Sequence, residues 1–140
     1  MIYYKIFPEV AGGLGSKSII DTSSSPPIVI QLNYQFDGWL GNDLLEVFPC
    51  FIVTERLKNA LSKSNLSGFY FSDVIITKSD IFIELMPQQE LPSFYWFHIT
   101  GKFDYDDFCI SKSSELLISS QAKDFLSLFN IGDADIRRYK

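Results

Sequence analysis

Two stretches of sixteen residues, 51–66 and 116–131, carry the same pattern sixty-five positions apart. Each stretch starts with an apolar run typical of a buried strand and continues with apolar side chains on one helical face. A repeated unit constrains the fold strongly, because it indicates how the chain is assembled. Four of the sixteen aligned pairs are identical: Lys58 with Lys123, Leu61 with Leu126, Ser62 with Ser127, and Asn65 with Asn130.

A hydroxyl residue marks the boundary between strand and helix in both copies. Thr54 and Ser119 each follow the apolar run, and their side-chain oxygens can accept a hydrogen bond from the free amides of a helix's first turn. We expect the helices to end at Asn65 and Asn130, since asparagine tolerates the left-handed conformation that often stops a helix. An extended segment follows each stop, over residues 69–77 and 136–139. The predicted unit is therefore strand, capped helix, strand.

The rest of the chain reads as strands and loops. The expected elements are an edge strand over 2–10 with Pro8 near its end, a surface loop over 11–27, an alternating strand over 28–36, one helical turn over 43–48, a segment over 81–86 that fits helix or strand, and a central aromatic strand over 94–100. Together these patterns predict an α+β fold in one domain of residues 1–140. Its sheet is mainly antiparallel or mixed, with the two short capped helices packed on it.

Charge narrows the class of partner. The formal net charge is −5, and residues 73–107 account for all of it, with seven acidic residues against Lys78 and Lys102. An acidic surface argues against nucleic acid, because phosphate binding needs lysine and arginine to displace counterions. It favours a basic protein partner, although a plain solvated surface remains the alternative interpretation.

Cysteine usage and apolar run lengths indicate a cytoplasmic protein. Cys50 and Cys109 lie far apart beside apolar residues, which favours two buried free thiols over a disulfide and suits a reducing compartment. No apolar stretch approaches the roughly twenty residues needed to cross a bilayer. The first residues lack a charged leader followed by a long apolar run, so we expect no signal peptide and no membrane partner.

The sequence offers little catalytic chemistry. His98 is the only histidine, and on alternation it shares a strand face with Trp96 and Thr100, which suits a structural role better than a catalytic base. One histidine and two distant cysteines cannot build an ordinary zinc site. Residues 12–18 lack the glycine spacing of a phosphate-binding loop, and the acidic turn at 104–107 lacks the other ligands of an EF-hand. We therefore expect no enzyme activity, no cofactor and no metal.

One family resemblance fits these observations. It is carried by residues 43–46, 51–58 with Leu61, 66–71, 94–96 and 119–129. In these segments the sequence resembles the immunity proteins that accompany bacterial polymorphic toxins and contact-dependent toxin systems. The resemblance covers residues 28–131, and its motifs are structural. It implies a small cytosolic protein that binds a cognate toxin domain and neutralises it by occlusion, with contact residues that vary with the toxin.

The candidate contact residues lie in two acidic segments that also carry aromatic side chains, as tight protein interfaces often do. They are Asp37, Trp39 and Asp43 in the first segment, and Asp104, Tyr105, Asp106 and Asp107 in the second. The pattern favours a core role for Trp39 over a contact role, and the alternative for Tyr105 is to cap its own turn. The toxin surface expected here is basic.

Two other classes stay open at this stage. An enzyme is possible if scattered carboxylates such as Asp37 and Glu46 converge to act as acid and base. A homo-oligomeric interaction domain is possible if an exposed sheet edge pairs with a second copy, so the free chain is expected to be a monomer or a weak homodimer.

Overall fold

The structure is a computed structural model that describes residues 1–132 and 134–140, and it confirms an α+β fold. The strands in chain order are β1 (Tyr3–Phe7), β2 (Gly12–Leu14), β3 (Ile19–Asp21), β4 (Ile28–Gln31), β5 (Asn33–Phe36), β6 (Leu44–Val47), β7 (Cys50–Thr54), β8 (Phe69–Ser72), β9 (Ile75–Lys78), β10 (Phe94–Ile99), β11 (Phe108–Ile110), β12 (Leu116–Ser119) and β13 (Asp135–Tyr139). The helices are α1 (Glu55–Lys63), α2 (Asp80–Leu85) and α3 (Ser120–Leu126). Two of them, α1 and α3, are the helices predicted from the repeat.

Two antiparallel four-stranded sheets hold the repeated unit. Their strand orders are β6-β7-β10-β8 and β11-β12-β1-β13. In each sheet a hairpin leads into a capped helix, and the strand after the helix lies at the opposite edge. The third position of each sheet, between the hairpin and that edge strand, is held by β10 in the first sheet and by β1 in the second. The first strand of the chain therefore completes the sheet of the second repeat.

The strand registers show that the repeat is longer than sixteen residues. Phe97 on β10 faces Phe51 on β7 and Phe71 on β8. Ile6 on β1 faces Leu116 on β12 and Ile136 on β13. The partners of Ile6 lie sixty-five positions after the partners of Phe97, so the offset extends from the strand before each helix to the strand after it.

Both predicted helix starts are confirmed. The Thr54 hydroxyl accepts a hydrogen bond from the amide of Leu57 at 3.3 Å, and the Ser119 hydroxyl accepts one from Ala122 at 3.1 Å. The predicted asparagine stops are wrong. Helix α1 ends earlier because the Ser64 amide and hydroxyl both donate to the Leu61 carbonyl, which satisfies that carbonyl without a left-handed residue.

Two buried aspartates tie the halves together. Asp43 accepts a hydrogen bond from the Thr54 hydroxyl at 2.6 Å and another from the amide of Asn130, beyond α3, at 2.8 Å. Asp107 accepts one from the Ser119 hydroxyl at 2.6 Å and another from the amide of Ser67, beyond α1, at 3.0 Å. Each carboxylate thus joins the start of its own helix to the chain that leaves the other helix.

The shared core between the two sheets consists of equivalent positions from both halves. Six pairs of buried residues correspond: Phe97 with Ile6, Leu44 with Phe108, Phe51 with Leu116, Val53 with Ile118, Leu57 with Ala122, and Leu61 with Leu126. Because each pair supplies one residue from each half, burial of either apolar face depends on the other half.

A further layer covers one of the two sheets. The sheet β2-β5-β9, in which β5 and β9 run parallel, packs with α2 against the outer face of β6-β7-β10-β8. Strands β3 and β4 form a separate two-stranded hairpin with exposed Ile19, Ile28 and Ile30. The central position expected for the aromatic strand is confirmed, since β10 lies between β7 and β8.

Several local predictions are corrected. Residues 44–47 are a strand, because they pair with β7 as a hairpin rather than closing a helical turn. Residues 28–36 are two strands, the exposed β4 and the interior β5, and the buried residue Leu32 separates them. Residues 11–27 contain β2 and β3, and 81–86 belong largely to α2. Strand β1 is not an edge strand, because Pro8 lies just beyond it and leaves both of its ladders intact.

We predict that Asp43→Ala and Asp107→Ala each lower the free energy of unfolding by about 2–4 kcal/mol, because each leaves a buried hydroxyl and a partly buried amide without their acceptor. Urea denaturation would measure this loss. Asp124→Ala, at an exposed position in α3, is the control and should change it by less than about 0.5 kcal/mol. Equal small changes in all three variants would contradict the structural role.

The contribution of Asp43 should also depend on pH. Burial alone would raise the pKa of Asp43, but hydrogen bonds from Arg56, Thr54 and Asn130 outweigh it and hold the pKa below its ordinary value of 3.8. A lowered pKa in the folded state means that the stabilisation is complete above that value and is lost as the pH falls below it. The stability difference between wild type and Asp43→Ala should therefore shrink in acid, which urea denaturation at stepped pH would show.

Candidate functional site

The two segments predicted to contact a partner occupy equivalent places in the two halves. Residues 37–43 lead into β6, and residues 101–107 lead into β11. In the first, Trp39 contacts Phe94 edge-on at 6.0 Å between ring centroids. In the second, Phe103 stacks on Tyr3 at 4.8 Å, and Tyr3 holds the place in its sheet that Phe94 holds in the other. The segments are therefore built alike around an aromatic pair.

The predicted contact residues differ in their exposure. Asp37 and Asp104 are exposed, Trp39 and Asp106 are half-buried, and Tyr105 is 72% exposed. Asp43 and Asp107 are 4% and 8% exposed, and their carboxylates bind the helix starts described above. Because both carboxylates are occupied inside the protein, the proposed contact surface does not include them. The sequence pattern does not say which acid turns inward, and only the hydrogen bonds of the folded chain reveal it.

Beside Trp39 lies an open cleft of about 350 Å³, which we call the Trp39 cleft. It is lined by Glu9, Val10, Ala11, Gly12, Asp37, Gly38, Trp39, Leu40, Asn42 and Met86. The Trp39 ring nitrogen donates to the Asn42 carbonyl at 2.9 Å, and the Gln89 amide donates to the Trp39 carbonyl at 2.9 Å. These bonds hold the tryptophan and the chain after α2 together, so one wall of the cleft is already ordered.

The rim of the Trp39 cleft exposes large aliphatic side chains. Leu40 is 72% exposed and Val10 is 56% exposed, and both line the cleft. Exposed apolar residues scattered singly need no explanation, but a group of them around a concavity is typical of a contact surface. Trp39 is recognisable from the sequence, whereas Val10 is not, because only the fold brings the two segments together.

Two carboxylates, those of Glu9 and Asp37, line the same cleft. Burial first, and then the nearby carboxylates of Glu9, Glu46 and Asp37, raise the pKa of Tyr34 to about 12. Burial also raises the pKa of Glu46. Within residues 1–132 and 134–140, none of these three carboxylates forms an ion pair with a lysine or arginine. The cleft therefore carries negative charge that no cation of the described chain neutralises.

The second segment uses its acids internally. Asp104, at φ 72°, accepts a hydrogen bond from the Met1 amino group at 3.0 Å, and the Asp106 carboxylate accepts one from the Lys102 amide at 2.6 Å. The Lys102 ammonium lies over the Tyr105 ring, 4.6 Å from its centroid. The carboxylates of this turn therefore have hydrogen-bond partners within the protein, and Tyr105 is its most exposed aromatic side chain.

An aromatic stack lies at the edge of the sheet β6-β7-β10-β8. His98 is stacked between Tyr70, at 4.3 Å with an interplanar angle of 4°, and Trp96, at 4.1 Å. The Ser72 hydroxyl and the His98 Nε2 are hydrogen-bonded at 2.6 Å. The predicted face sharing of His98 with Trp96 is confirmed, whereas Tyr70 and Ser72 could not be placed without the register of β8.

The contact between Ser72 and His98 resembles part of a catalytic triad but lacks its third member. In a triad, an acid bonds the other ring nitrogen and orients the histidine. No carboxylate among the described residues bonds to His98, and the stacking of its ring fixes its orientation instead. This arrangement builds a rigid aromatic surface.

We predict that His98 makes stability depend on pH. Burial lowers the pKa of His98 below its ordinary value of 6.5, so the unfolded chain binds the proton more tightly than the folded one. The free energy of unfolding should therefore be unaffected by His98 above its ordinary pKa and should fall as the pH drops below it. In His98→Phe, which keeps the ring stack, the loss of stability between about pH 8 and about pH 5 should be smaller than in wild type.

An NMR titration of the single histidine would measure the pKa directly. A His98 pKa at or above its ordinary value would contradict the predicted stability profile.

Comparison with protein-family models, with curated proteins and with solved structures finds no match to this chain. In the part of the chain that the structure describes, no helix is long and apolar enough to cross a membrane. In the same part, no three histidine, cysteine, aspartate or glutamate side chains are grouped so that they could hold a metal ion. The resemblance to immunity proteins thus stays a prediction that rests on the quoted sequence segments.

Proposed function

We propose that this chain is an immunity-type protein that binds a basic surface of a cognate toxin domain in the cytoplasm and neutralises it by occlusion. The observation that carries the proposal is the Trp39 cleft. There, exposed aliphatic side chains stand beside carboxylates that have no cationic partner in the described chain. A surface of this kind gives a basic, partly apolar protein both contact area and charge complementarity.

The apolar part of the proposal concerns affinity. Leu40 and Val10 are largely exposed, so covering them removes apolar surface from water at about 25 cal/mol per Å². Trp39 is held by hydrogen bonds on both sides, so little conformational entropy is lost when a partner covers it. Ordered aromatic residues beside exposed aliphatic ones are where binding energy tends to concentrate.

The electrostatic part concerns the choice of partner. Asp37 is exposed, and it lines the Trp39 cleft together with Glu9. A lysine or arginine of a partner would gain an unpaired carboxylate, whereas an acidic partner would be repelled. The chain's net charge of −5 acts in the same direction by steering encounter with basic proteins.

The carboxylate-enzyme alternative has less support. Of the two acids weighed for it, Asp37 lines the Trp39 cleft and Glu46 does not, so they do not meet in a pocket as an acid–base pair would. Occlusion needs only a surface that a toxin's active region can fit against, which the cleft offers.

We predict that Leu40→Lys weakens binding to the cognate toxin domain at least about tenfold, because it removes a central apolar contact and places a cation against a basic surface. The toxin domain encoded beside this chain's own gene is the binding partner to test, by isothermal titration calorimetry. Leu128→Lys is the matched control, since Leu128 is 75% exposed and lies after α3, outside the cleft lining. Equal loss in both variants, or no binding by wild type, would contradict the proposal.

We also predict that the affinity falls as salt is raised from about 0.1 M to about 1 M, since the screening length falls from about 10 Å to about 3 Å. Asp37→Asn should reduce the slope of this dependence, because it removes one exposed charge from the cleft. Asp124→Asn, an exposed acid on α3, should leave the slope unchanged. An affinity that does not change with salt would remove the electrostatic part of the proposal.

A further inference from the structure

Each four-stranded sheet has two edge strands, of which one is covered by another segment and one is open. Strand β6 is covered by a bridge between Glu9 and Leu45, and β11 is covered by a bridge between Gly101 and Cys109. The remaining two edges are β8 and β13, which occupy equivalent places in the two halves. In the described part of the chain, neither pairs with a strand on its outer side.

Charge protects one of these two edges. Strand β13 carries exposed Asp135, Arg137 and Arg138, and the Arg137 guanidinium forms an ion pair with Asp135 at 2.7 Å. Charged side chains on an edge strand are a common device against pairing with another chain, because an incoming strand would have to desolvate them.

Strand β8 has no such protection. Its sequence is Phe-Tyr-Phe-Ser, so Tyr70 stands where β13 has Asp135, and Ser72 stands where β13 has Arg137. Tyr70 is 52% exposed, and its ring is held flat against His98 at 4.3 Å. An uncharged aromatic edge with free backbone groups is a template for another extended strand.

We propose that β8 pairs with β8 of a second copy, so that two molecules form a continuous eight-stranded antiparallel sheet. A two-fold axis perpendicular to the sheet at Tyr70 places Tyr70 opposite its own copy and Phe69 opposite Phe71 of the other molecule. Directly opposed residues then share a face, as an antiparallel ladder requires. The aromatic pairs on both faces add cross-strand stabilisation.

Self-pairing fits this strand better than pairing with a basic partner. Residues 69–72 carry no charge, so they offer a basic protein no electrostatic gain. Asp73, at the end of the strand, lies opposite Ser67 of the second copy in this register, so two aspartates do not meet. A symmetric contact on one self-complementary patch is the commonest form of homodimer.

The dimer is expected to be weak. Strand β8 is only four residues long, and Gly68 at φ +103° ends the regular pairing on one side. A contact of this length lies at the small end of protein interfaces. The association therefore depends on concentration, and it is independent of toxin binding at the Trp39 cleft.

Sedimentation equilibrium of the full chain from about 10 µM to about 1 mM would test the proposal. Wild type is expected to pass from monomer to dimer, and Tyr70→Lys is expected to weaken association at least about tenfold, because two like charges then oppose each other. Tyr105→Lys makes the same chemical change at an exposed tyrosine of another segment, so its association should match wild type. A wild-type monomer throughout, or a dimer unaffected by Tyr70→Lys, would overturn the proposal.

A second measurement needs no variant. In NMR spectra of the wild type, the amide signals of residues 69–72 should move with protein concentration and exchange more slowly with solvent in the dimer. The amide signals of β13 should not move. If the signals of β13 moved and those of β8 did not, the contact would lie at β13, and the proposal would be overturned.

Discussion

The structure depends on a crossed pair of hydrogen-bonded carboxylates. Asp43 and Asp107 each bind the hydroxyl that caps a helix in their own half and the amide of the chain leaving the helix of the other half. A buried carboxylate is costly unless its partners satisfy it, so each half needs the other in place. The shared core strengthens this coupling, because it takes equivalent apolar residues from both halves.

This symmetry also explains where function can reside. The equivalent residues of the two halves are buried in the shared core, and the halves differ mainly outside it. One half carries the extra sheet and α2, which create the Trp39 cleft and leave its carboxylates without cationic partners in the described chain. The same half leaves β8 uncharged, where the equivalent β13 carries charges of both signs. Binding is therefore proposed at the features in which the two halves depart from each other.

Local patterns predicted the helix starts well, because Thr54 and Ser119 act through amides three residues away. Helix ends and strand boundaries were harder. Helix α1 ends at a hydrogen bond from Ser64 to the Leu61 carbonyl, and no sequence pattern pointed to Ser64 as the stop. Residues 44–47 pair with β7, although their pattern also fits a helical turn. The candidate site was only partly predictable. Trp39 and Asp37 stand out in the sequence, but Val10 and Tyr70 become site candidates only because the fold brings distant segments together.

Native-state hydrogen exchange tests most directly whether the two halves are one cooperative unit. The amides of Leu57 and Ala122 report on the two helix starts, and those of Ser67 and Asn130 report on the crossed hydrogen bonds. We predict that all four open with the same free energy, equal to that of global unfolding, and that this energy falls in parallel as urea is added. Opening of the amides around one helix at a distinctly lower free energy would contradict this view of the fold.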